Sequence, residues 1–147
     1  MKKWLIGMMA LLGTVSVVVL FTIQQEGASS KGQEDLSKTV IERYTIDLQQ
    51  QREHCYNRIL LLGTLEEQQV KVVNEEIKHY LQQLEKIKAT MQTTEIYTNN
   101  DNVRNSIDLE ILLMTKILKA LATKDETYLV DISEMYHSLL KYQKEIS

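Results

Sequence analysis

The chain has 147 residues, no proline, one cysteine and a formal charge of −3. Only Lys2 and Lys3 precede the first long apolar run; the 15 basic and 20 acidic residues behind it leave −5 there, with no basic cluster or stacking-aromatic pattern, so nucleic acid is excluded as an expected partner. A lone cysteine gives no internal disulfide, and the lack of proline, together with the lack of glycine after Gly63, is the composition of long helices in an all-α fold.

Residues 1–3 form a charged n-region that the positive-inside tendency keeps in the cytoplasm. Trp4 to Ile23 then runs without a charge. About 20 helical residues rising about 1.5 Å each match a hydrocarbon core of about 30 Å. The length favours an uncleaved signal-anchor, a single transmembrane helix with the rest of the chain extracytoplasmic, over an export h-region of about 7–15 residues. Trp4 suits the membrane interface, and Gly7, Ala10 and Thr14 offer a small-residue face to another helix. The alternative is a long signal peptide cut at Ala28-Ser29-Ser30, which releases a secreted domain beginning at Lys31. Cys55 lies too far along for a lipoprotein. Residues 24–33, with Gly27, Ser29, Ser30 and Gly32, form a polar linker.

A helical domain follows over 34–147. Ile41, Tyr44, Leu48, Gln51, Cys55 and Leu62 form one stripe, predicting a helix over 34–62. Gly63-Thr64 marks a break: glycine closes one helix, and Thr64 with Glu67 has the capping-box spacing that opens the next. Otherwise a phase shift joins both stripes into one rod of about 87 Å. Val70, Val73, Ile77, Tyr80, Leu84, Ile87 and Met91 predict the helix 65–91, spaced as a coiled-coil seam. Thr93 to Asn102 reads as a loop. The helix 103–122 is apolar on most of its circumference, with Asp108, Thr115, Lys116 and Lys119 as its polar side. It is expected at the centre of the domain and carries too many charges to be a second span. Thr123 to Glu126 is a turn, again with capping-box spacing. The helix 126–145 has Leu129, Ile132, Tyr136, Leu139 and Ile146 on its seam, flanked by Tyr128, Met135 and Tyr142. The expected architecture is an antiparallel bundle of four helices, or one long helix with a packed helical hairpin.

Glu76-x-x-His79 and Glu134-x-x-His137, with Glu42 or Glu53 and Glu110, follow an order that resembles the ferritin-like di-iron bundles and would imply a di-metal centre. Phase argues against it. At about 100° per residue, Glu76 lies roughly 70° and His79 roughly 130° from the seam midline, and Glu134 and His137 face away from theirs. These residues read as solvated faces, and neither a metal nor another cofactor is expected. Cys55, on the first seam, reads as a small buried apolar group. Phosphate-loop, zincin and nucleophile-elbow motifs do not occur, and no catalysis is expected. The expected role is protein–protein interaction at the membrane, as an adaptor, assembly factor, inhibitor or immunity-type protein, or self-association. Tyr128, Met135 and Tyr142 are the candidate surface, because aromatic residues and Met favour interfaces. The alternative is a ligand-binding or sensory bundle. The layout of a span followed by a bundle resembles chemoreceptor-type input domains, which need a second span to signal inward.

Overall fold

The apolar stripes close on one another in a computed structural model that describes residues 33–146. The run Trp4–Ile23, and with it the predicted anchor, the cleavage site and residues 1–32 as a whole, lies outside the described residues. All regular structure among the described residues is helical: α1 (Gln33–Glu42), a π-helical turn (Arg43–Asp47), α2 (Gln49–Leu61), a 3₁₀ turn (Leu62–Thr64), α3 (Glu67–Thr93), the short α4 (Ile96–Asn99), α5 (Asp101–Thr123), a second 3₁₀ turn (Glu126–Leu129) and α6 (Ile132–Ile146). The result is a helical bundle. α3 packs against α2 and α5, and α5 packs in turn against α6.

In the π turn Tyr44 is turned to the core, where its hydroxyl meets Ser106 and Glu110. Val40, Tyr44 and Leu48 are all buried and stand four residues apart. The Leu48 N–H reaches back five residues to the Arg43 carbonyl at 3.2 Å. Beyond the turn the predicted stripe keeps Cys55 and Leu62 buried. Gln51, placed on the seam by its spacing, is exposed, while Arg52, Tyr56 and Ile59 turn inward.

The chain reverses at Leu62–Glu66, so the first two stripes belong to separate helices. The caps differ from the expected ones. Thr64 donates its hydroxyl back to the Leu61 carbonyl at 2.8 Å, and the residue that caps α3 is Glu66, in a reciprocal capping box with Gln69. The reason is Leu62 and Leu65, which both turn to the core and hold two extended residues before α3 begins. On α3 the predicted seam from Val73 to Met91 is buried in full.

Between α3 and α5 the expected loop contains a helical turn. Glu95 sits in the left-handed region at φ 62°, Ile96 is buried, and Asn100 caps α5 by accepting from the Val103 N–H at 3.1 Å. The last helix is shorter than its pattern. Asp125 caps the 3₁₀ turn through Thr127, and the chain kinks at Asp131 (φ 70°) before α6 starts. That kink lets both Leu129 and Ile132 reach the core.

Candidate functional site

On α5, Ser106 and Glu110 stand one turn apart on the inward face, beside Ile107, Leu113 and Ile117, and both are fully buried. A carboxylate taken from water without partners is strongly disfavoured, and here every long segment of the bundle supplies one. Arg52 of α2 donates Nε to Oε1 at 2.8 Å and Nη2 to Oε2 at 3.2 Å, a two-pronged grip that fits the guanidinium fork. Tyr80 of α3 donates its hydroxyl to Oε1 at 2.6 Å. Tyr44, in the π turn, donates to Oε2 at 2.9 Å and lies 2.7 Å from the Ser106 hydroxyl. Gln143 of α6 reaches Oε2 at 3.5 Å. Five donors thus meet a carboxylate that has about four lone-pair sites. Arg52 is held from a third side, by the Tyr44 carbonyl at 3.1 Å and by the Tyr44 ring, 5.0 Å from its carbon centre.

The surroundings respond to this buried charge. Burial drives the Tyr80 hydroxyl well above its ordinary value, and the Glu110 carboxylate drives it further; Tyr44 shifts the same way for the same two reasons. Burial alone would lower Arg52, but the adjacent carboxylate more than reverses that and keeps it charged. Cys55 is buried, and desolvation, reinforced by Glu110 and Glu76, pushes its thiol up to about 12. It stays a thiol at neutral pH, the unreactive form. The Tyr56 ring packs against that of Tyr136, tilted by 47° with ring centres 5.0 Å apart. Its hydroxyl is buried without a hydrogen-bond partner among the described residues.

A second feature lies on the outer side of Tyr80. α2 and α3 leave an open groove of about 650 Å³ whose lining includes His54, Cys55, Val72, Glu76, His79 and Tyr80. Glu76 is engaged by Arg58 at 3.2 Å and lies 3.5 Å from His54.

The carboxylates and histidines of the di-iron spacing do not converge. Glu110 is in the core, Glu76 is at the groove edge beside exposed His79, and Glu42, Glu53, Glu134 and His137 are exposed. No group of three or more such side chains among the described residues is placed to hold a metal ion. Tyr128, Met135 and Tyr142 are half-buried. Tyr128 and Met135 pack on the core edge, and the Tyr128 ring lies 5.8 Å from the Lys119 ammonium. Arg52, Ser106 and Gln143 were invisible as a site in the sequence. The one signal was Glu110, a charge standing on the apolar face of the most apolar helix of the domain. No protein-family model, curated protein or solved structure matches the chain.

Proposed function

We propose that the chain is a membrane-tethered interaction protein: Trp4–Ile23 anchors it, and an antiparallel four-helix bundle over 34–147 meets a protein partner outside the cytoplasm. The observation that carries this reading is the direction of the chemistry. The largest polar cluster of the bundle, Glu110 with Arg52, Tyr44 and Tyr80, points inward and is engaged by the fold itself, and the Cys55 thiol is desolvated, while the exposed histidines and carboxylates do not converge on one another. Such a core holds a shape, and the outward residues are left for recognition. Tyr128, Met135 and Tyr142 on the α6 side are the proposed contact.

The test is crosslinking of the full-length chain in isolated membranes, followed by replacement of all three side chains with alanine. Recovery of a full-length chain that resists alkaline extraction, with a crosslinked neighbour that the triple replacement removes, is the expected result. An unchanged crosslinking pattern sinks the contact, and a soluble chain starting near Lys31 sinks the anchor. The α2/α3 groove favours a second reading, a ligand-binding bundle. Reproducible thermal stabilisation by a small molecule, lost on Val72→Arg, would select it.

A further inference from the structure

The π turn divides the first helical stretch into two parts that are held very differently. Tyr44 within the turn and Arg52 on the α2 side are fixed by the buried carboxylate of Glu110, and on α2 Cys55, Tyr56 and Ile59 are buried. On the α1 side, from Asp35 onward, Val40 alone is buried, Ser37 and Ile41 are half-buried, and Leu36 is 52% exposed. α1 is also separated from the α3–α5 connection by an open cleft of about 370 Å³, lined by Ser37, Ile41, Glu95, Ile96 and Asn99 among others. The backbone between the two parts departs from the α-helical ladder. Its ladder widens to a five-residue step at Leu48, and within the turn Thr45 donates its hydroxyl to the Ile41 carbonyl at 2.9 Å. Threonine back-bonding of this kind bends helices, and sharp kinks concentrate at π turns.

We infer that Arg43–Asp47 is a hinge on which α1 swings as a helix away from the bundle, while Tyr44 stays latched to Glu110. The swing opens the cleft between α1 and the α3–α5 connection and uncovers Val40 and Ile96. It moves the end of the bundle that joins the preceding linker without disturbing the polar core. If the chain is anchored as proposed above, the hinge lets the bundle reorient on its anchor; the hinge itself does not depend on that reading.

Hydrogen exchange on the full-length chain tests this directly. Amides of Ser37–Glu42 are expected to exchange at least about a hundredfold faster than those of Arg52–Leu60, with the boundary inside Arg43–Asp47, yet at least about tenfold slower than an unstructured peptide. Continuous protection across Arg43–Asp47 overturns the hinge, and so does exchange in α1 at the unstructured rate, which denotes melting rather than swinging. An independent reading comes from paired spin labels in a Cys55→Ala background. Labels at Lys38 and Leu112 are expected to give a broad or multiple distance distribution, and labels at Glu53 and Leu112 a single narrow one. Equal widths for the two pairs overturn the inference.

Discussion

Two buried tyrosines on neighbouring faces illustrate how differently the same side chain is used. The Tyr80 hydroxyl donates to an ionised carboxylate at 2.6 Å, whereas the Tyr56 hydroxyl has no partner among the described residues. A hydrogen bond to a charged group is worth about 1.5–3 kcal/mol, and removing an unsatisfied buried hydroxyl is neutral or stabilising. Tyr80→Phe is therefore expected to lower the unfolding free energy by about 1.5–3 kcal/mol, while Tyr56→Phe leaves it unchanged or raises it slightly. Urea titration of the two variants beside the parent chain checks this. Equal losses would mean that the hydroxyl of Tyr56 is engaged after all. Glu110 itself gives the reason for the contrast, since its oxygens are crowded with donors on the sides facing Tyr44, Arg52 and Tyr80.

The individual helices were legible to the extent that their own sequence decides them. Regular three- and four-residue spacing on α3 leaves one inward face whatever surrounds it, and the seam from Val73 to Met91 is buried as its spacing predicts. Where a distant contact decides, the pattern fails. On the first stripe Tyr44, Leu48, Cys55 and Leu62 are buried as predicted, but Gln51 is exposed and Arg52 turns inward in its stead, because Arg52 meets Glu110, 58 positions away. Binary patterning counts Arg52 and Glu110 as solvent-facing, because the donors that make their burial tolerable come from other helices. The caps slipped for a similar reason: Leu65 is drawn to the core, which shifts the cap of α3 from Thr64 to Glu66. Helix ends also carry a correctable cost. Glu95 closes α3 in the left-handed region at φ 62°, where a side chain with a Cβ is disfavoured by roughly 1–2 kcal/mol and glycine is not. Glu95→Gly is expected to raise stability by about 0.5–1 kcal/mol, net of the extra freedom glycine gives the unfolded chain, and to raise the melting temperature by a few degrees. A melting temperature lowered by the change would show that the Glu95 side chain makes a contribution larger than the strain.

Across the whole molecule, one carboxylate receives donors from the π turn and from α2, α3 and α6. It is a common pin for segments that otherwise meet only in pairs. Removing one partner of a buried ion pair leaves a stranded charge and costs about 3–5 kcal/mol. Glu110→Ala and Arg52→Met are each expected to lose about that much, and the double variant to lose less than the two single losses combined, with a coupling of about 0.5–3 kcal/mol. Thermal or urea unfolding of all four chains closes the cycle, and strict additivity would show that the pair does not act as a unit.

The same pairing bears on how this molecule can change over generations. A chain that loses only Glu110 keeps a guanidinium with 12% of its side chain exposed and no anion beside it, and a chain that loses only Arg52 keeps a fully enclosed carboxylate. Either single step strands a charge, and even the double replacement leaves the Tyr44 and Tyr80 hydroxyls in the core without the carboxylate to which they donate. The centre of the bundle is thus trapped by its own intermediates. Positions 44, 52, 80 and 110 are expected to vary together rather than singly, so that a lineage carrying them inherits its polar core as a fixture rather than a choice.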